Sequence, residues 1–205
     1  MTVTDSLLAY SLAASLLTIT PGLDTALILR TATLEGGRKA FMAALGINTG
    51  CFIWGAMVAF GLAALLAVSE LAYMLLKWAG AVYLCWLAFH MLRTPVTPQL
   101  NEGEGTARHS NWFIRGMLGN VLNPKVGVFY VSFLPQFIPA GHNPVEWTFL
   151  LVSIHVVLGT LWSLTLINAS RRVAHILKKP VVARWLNRIT GGLFLLFAAR
   201  LAASS

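Results

Sequence analysis

Apolar runs of about 20 residues follow one another along this chain with little polar punctuation between them, a length that matches the hydrocarbon thickness of a bilayer. They cover roughly 6 to 32, 40 to 68, 71 to 92, 112 to 138, 145 to 170 and 183 to 203. In hydrocarbon each backbone polar group must be bonded within its own segment, so the runs read as helices. Only 11% of the 205 residues are charged, against about 25% in ordinary soluble domains. The expected fold is an all-α integral membrane protein of six transmembrane helices, forming one transmembrane domain over 1–205. The first basic residue is Arg30 and no charged segment precedes the first run, which therefore reads as a retained span and not a signal peptide.

A net charge of +8 in a soluble domain would suggest a nucleic-acid partner. Here the positive-inside rule accounts for it. The first connection holds Arg30, Arg38 and Lys39, the third Arg93, Arg108 and Arg115, and the fifth Arg171, Arg172, Lys178, Lys179, Arg184 and Arg188. These are twelve of the fifteen basic residues, all on one side if there are six spans, while the second and fourth connections carry none. Basic loops in the cytoplasm and both termini outside are the consequence. Cys51 and Cys85 lie in apolar runs without disulfide or metal-ligand spacing and read as small core residues, so no cofactor and no metal are expected.

Two of the runs are interrupted. In the first, Thr20-Pro21-Gly22-Leu23-Asp24 places an N-cap residue before a proline and a carboxylate just after it, so one helix is expected to stop and another to begin with Thr20 as its cap. In the fourth, Asn123-Pro124-Lys125 repeats the pattern. Each half-helix N-terminus offers free N–H groups and a positive dipole end, suited to an anionic group. Counted from the cytoplasmic ends, both breaks lie about ten residues in, roughly 15 Å, near the middle of a core about 30 Å thick.

The halves also resemble each other. Lys77-x-x-Gly80-Ala81-x-x-Leu84-x-x-x-Ala88 matches Arg188-x-x-Gly191-Gly192-x-x-Leu195-x-x-x-Ala199 at an offset of 111, and Pro21 matches Pro124 at 103. Three spans per repeat make the second copy enter the bilayer from the other side. The expected architecture is therefore two inverted three-helix repeats, about 1–92 and 112–205, joined by a cytoplasmic linker at about 93–111, with broken first and fourth helices at the substrate site.

Among the acidic residues, Asp24 alone lies deep within a run. A carboxylate there costs at least about 2.5–3.5 kcal/mol on insertion scales, so it must be paired, protonated or hydrated. Lys125 is the natural partner. Asp24 either carries a coupling proton or holds the amino group of a zwitterionic substrate, and a purely structural pair with Lys125 is the third reading. The first-rank site residues are Thr20, Pro21, Gly22, Asp24, Asn123, Pro124 and Lys125. Behind them stand Asn48, read as a bond across helices, Asn120, Gln136, and His155, read as a hydrogen-bonded packing residue in preference to a proton relay. An intramembrane enzyme lacks a HExxH motif, a carboxylate pair or a nucleophile beside a base, and divalent-cation export lacks a ligand cluster.

Thr20-Pro21-Gly22-Leu23-Asp24 with Arg30, Gly36-Gly37-Arg38 and Ala44-Leu45-Gly46 resembles the first signature of the lysine exporter family of amino-acid efflux transporters, in its homoserine and threonine exporter-like branch. Asn123-Pro124-Lys125 with Phe133-Leu134-Pro135-Gln136-Phe137 resembles the second. The resemblance implies a multi-pass protein of the bacterial inner membrane that exports amino acids or close derivatives by proton antiport and alternating access, and that is able to form a homodimer. Leu23 stands where the family commonly has a second proline.

Overall fold

The computed structural model describes residues 2–68, 78, 82, 85, 86, 88, 89, 92, 93, 111–169 and 179–203. Lys77 and Gly80 of the expected repeat, most of the third span, the linker at 94–110 and the basic residues 171–178 lie outside the described residues. Every regular element among those described is helical.

Helix α1 (Val3–Ile19) opens on a capping box, in which the Thr2 hydroxyl accepts from the Asp5 N–H and the Asp5 carboxylate accepts from the Thr2 N–H. It ends where Pro21 disfavours helical geometry for the residue before it: Thr20 is extended, at φ −64° and ψ 121°. Helix α2 (Leu23–Leu34) then starts at an angle of 52° to α1. Here the sequence expectation is corrected. Thr20 is the C-cap of α1, its hydroxyl donating back to the Leu16 carbonyl at 2.6 Å, and the N-cap of α2 is Gly22, which has no side chain to close the helix. The break is thus two residues longer than a proline at the first helical position would make it.

After a turn at Gly36, whose φ of +94° suits a residue without Cβ, α3 (Gly37–Val68) runs for 32 residues. Helix α4 (Trp112–Val121) packs against it at backbone contact distance. A Cβ built at Gly46 would stand 1.9 Å from the Phe113 carbonyl oxygen, and one at Gly116 2.1 Å from that of Ala43. Gly50 and Gly55 of α3 are as closely covered, by Asn120 and Val152, whereas no described atom lies within 4 Å of a Cβ at Gly61. Three of the four glycines expected to admit a neighbouring helix therefore do so.

The second break holds as expected. Asn123 caps α5 (Pro124–Val128), its Oδ1 accepting from the Lys125 N–H at 3.1 Å, with Pro124 in the first turn. Beyond α5 the segment departs from a single half-helix. The chain passes through a π-helical turn, Phe129–Phe133, and a 3₁₀ turn, Leu134–Phe137. The side chains of Phe129, Tyr130, Phe133 and Phe137 are buried from this segment, and Tyr10 of α1 packs on Phe129 and Phe137 with ring centroids 5.9 and 5.5 Å apart. Helix α6 (Pro144–Asn168), capped by Asn143, lies against α1 and α3, and α7 (Pro180–Ala203) closes on α1.

The segments Gly37–Gly61 and Pro144–Asn168, 25 residues each, are long and apolar enough to cross a bilayer, and the bent pair α1–α2 makes a third candidate span. The protein is a membrane protein, helical throughout the regular elements of its described residues.

Candidate functional site

The two breaks meet. The α1 break leaves the carbonyls of Leu17 and Thr20 without backbone partners, and Lys125 Nζ donates to both, at 3.2 and 3.0 Å. A Cβ built at Gly22 would lie 3.6 Å from the same nitrogen. On the far side of the break, Asp24 sits in the first turn of α2, where a negative charge is favoured, and its Oδ2 accepts from Asn120 Nδ2 at 2.8 Å with the Asn123 side chain beside it.

This arrangement replaces the expected direct ion pair. Asp24 and Lys125 make none, because each has another partner: the ammonium is held by the carbonyl end of α1, and the carboxylate, in the first turn of α2, by Asn120 of α4. The chain break separates the charges and supplies the ammonium with its acceptors.

Between them lies a cavity. Its lining includes Thr20, Gly22, Asp24, Asn48, Asn120, Asn123, Lys125 and His155, together with an apolar wall of Leu17, Ile28, Ile47, Val126, Trp162 and Leu166. The space in which the centre of a water molecule can move is about 70 Å³, several times the roughly 10–15 Å³ that one water needs. Pro21 and Pro124 do not line it and act by setting the breaks.

Two buried polar atoms at this cavity have no protein partner, Asn120 Oδ1 and Trp162 Nε1. Asn120 is fixed in place from behind, since a Cβ at Gly50 would come within 2.6 Å of its Oδ1.

Of the remaining expected residues, Asn48 lines the cavity and donates across helices to Thr160 Oγ1 at 2.8 Å, as its sequence context indicated. Gln136 is not brought to the site. Its Nε2 turns back to the Ser132 carbonyl within the π and 3₁₀ segment. His155 lines the cavity and is bonded through Nδ1 to the Tyr130 hydroxyl at 2.9 Å.

Sequence reasoning overlooked Trp162, Ser163, Cys51 as a lining residue, Tyr130, and Thr190, whose hydroxyl meets that of Thr20 at 2.5 Å. One signal was available: His155, Gly159, Trp162, Ser163 and Leu166 recur at helical spacing on one face of α6, and all five line the cavity.

A family model described as LysE type translocator matches residues 15–205. The chain belongs to this family. Among the relatives of this LysE type translocator, the homoserine/homoserine lactone efflux protein of Salmonella typhimurium is 32% identical over 197 residues, covering 96% of this chain and 95% of its own. The uncharacterized membrane protein YrhP of Bacillus subtilis is 29% identical over 195 residues, 91% and 93% of the two chains. The leucine efflux protein of Klebsiella pneumoniae is 27% identical over 198 residues, 95% and 93%. No solved structure matches. Membership makes the protein a transporter and not an enzyme.

Proposed function

We propose that this LysE type translocator is a secondary active exporter of amino acids or close derivatives, and that neutral ones fit its site best. The observation that carries this reading is the fixed separation of Asp24 and Lys125 on the two ends of one break, facing a shared cavity. A zwitterion presents the complementary pair of charges. Its ammonium is received by Asp24, and its carboxylate by Lys125 and the uncapped N–H groups that follow Gly22. No second carboxylate lines the cavity among the described residues, so the side chain of lysine or arginine would enter without a counter-ion, whereas the wall of Leu17, Ile28, Ile47 and Val126 accepts an aliphatic one. The printed names of the relatives, homoserine and leucine efflux proteins, support the same substrate class.

Export is by proton antiport across the bacterial inner membrane, with two inverted three-helix repeats, about 1–92 and 112–205, alternating access around the breaks. The basic connections are cytoplasmic and both termini periplasmic, as the distribution of Lys and Arg supports. Counterflow of radiolabelled leucine or homoserine in proteoliposomes tests the reading: exchange is expected with the native protein and is lost in Asp24→Asn. Native protein that exchanges no amino acid, or Asp24→Asn that exchanges normally, overturns it.

A further inference from the structure

The exporter reading requires a group that takes the coupling proton, and Asp24 is already engaged by Asn120 and by the substrate ammonium assigned to it. We infer that His155 is the proton-carrying residue and Tyr130 its positioning residue, so that substrate and proton are bound by different side chains of one cavity. The inference rests on the exporter reading and goes beyond it by assigning the coupling.

The geometry has three parts. First, His155 lines the cavity while its Nδ1 is tied, at 2.9 Å, to a fully buried Tyr130 hydroxyl, which leaves Nε2 as the ring nitrogen available to the cavity. With Nδ1–H donating to the Tyr130 oxygen, the neutral ring is held in the tautomer whose bare Nε2 can take a proton on the cavity side, and the same bond persists in the imidazolium. Second, Tyr130 lies in the π-helical turn Phe129–Phe133. An extra residue in the turn changes which side chains face α6, and such turns recur at functional sites. Phe129 from the same turn packs on the imidazole with centroids 5.5 Å apart, so the ring is held from two sides.

Third, the charged and titratable groups that face His155 are few: Asp24 of α2, Cys51 of α3, Lys125 of α5 and Tyr130 of the π turn. Lys125 is fixed by two carbonyls near the ring. An imidazolium formed here is repelled by Lys125 and by any substrate ammonium at Asp24. Proton and amino acid therefore exclude each other from the cavity, which is the condition antiport requires.

In the proton step, a hydronium in the cavity loses H⁺ to Nε2 as an N–H bond forms, and Nδ1–H donates to the Tyr130 oxygen. On the opposite side of the membrane the Nε2–H bond breaks and the proton returns to water. One proton crosses inward for each amino acid that crosses outward, with no other reactant.

Proteoliposomes carrying the full-length protein test this with radiolabelled leucine and homoserine as probes. For the native protein, exchange is expected to rise with pH as the His155 imidazole discharges, and a one-unit pH gradient should drive up to about tenfold accumulation. In His155→Gln, exchange should lose this pH dependence and the gradient should drive no accumulation. In Tyr130→Phe, loss of the hydroxyl that accepts from the imidazolium should move the midpoint of the exchange profile to lower pH by about half to one unit, without abolishing exchange. His155→Gln that still accumulates probe against its gradient, or keeps the native pH profile, overturns the assignment. Should that variant not fold, an unmoved midpoint in Tyr130→Phe overturns it equally. Failure of the native protein to exchange either probe removes the exporter reading itself, and is seen before any variant is made.

Discussion

Lys125 of α5 reaches across to the Thr20 carbonyl at the end of α1, 3.0 Å away, and thereby ties the two broken helices together through a bond that neither could make alone. Its second bond, to the Leu17 carbonyl, satisfies another acceptor that the end of α1 leaves without a backbone partner. Lys125→Met keeps the length of the stem and removes the donor. Two acceptors are then left without it, at about 1–3 kcal/mol each if water does not replace it. The expected outcome is a folded protein of lower thermal stability in detergent with export reduced at least about tenfold. An unchanged melting temperature would show that these carbonyls find other partners.

Asn120 holds the Asp24 carboxylate by its amide Nδ2, while its Oδ1 packs against Gly50 of α3. Asn120→Asp, isosteric with the native residue, exchanges the donor for a second acceptor and sets two carboxylates at hydrogen-bond distance. Both cannot be ionised at that separation, so a proton is retained between them. Substrate affinity, read from the concentration dependence of exchange, should fall at least about tenfold at pH 7 and recover in part at lower pH, where the shared proton restores a donor. Exchange with native affinity at pH 7 would remove Asn120 from the site.

Glycines in the α3–α4 contact separate two effects of one substitution. Gly46→Ala and Gly116→Ala would each bring a Cβ to about 2 Å from a carbonyl oxygen of the facing backbone, which can yield only by moving a helix. A cost of about 1–3 kcal/mol is expected, with the displaced α4 also moving Asn120. Gly119→Ala, on the same helix α4 with no described atom within 4 Å, should gain up to about 1 kcal/mol from helix propensity. Thermal unfolding of the three variants in one detergent checks the signs. Stabilisation by Gly46→Ala would mean that the helices do not touch there.

The described helices and both breaks were legible in the sequence because long apolar runs and proline near a charged residue each have few physical solutions. The capping at Asn123 came from local chemistry and holds. At the first break the same logic misplaced Thr20, since the restriction that Pro21 imposes on its predecessor ends α1 and leaves Gly22 to begin α2. The Asp24 to Lys125 pair was inferred from two charges in apolar surroundings, the correct reason for expecting partners. A linear reading cannot supply that helix ends and an asparagine 96 residues away would be those partners. The π turn that brings Tyr130 to His155 was equally hidden, because an additional residue in a turn depends on tertiary packing and leaves no mark in the periodicity.

Gly159 offers a test of the cavity that leaves its polar groups intact. It lines the cavity on α6, and a Cβ built there meets nothing closer than Asn48 Oδ1 at 3.9 Å, so a side chain at this position grows into empty space. Gly159→Ala removes a helix-interior glycine and should stabilise by up to about 1 kcal/mol. Gly159→Leu adds a side chain of the size the cavity accommodates and should fold with an unchanged or higher melting temperature while exchange of leucine falls at least about tenfold. The alanine variant should discriminate, slowing leucine more than the smaller homoserine. If Gly159→Leu exported both at the native rate, the substrate would have to pass elsewhere, and the cavity between the two breaks would have no part in transport.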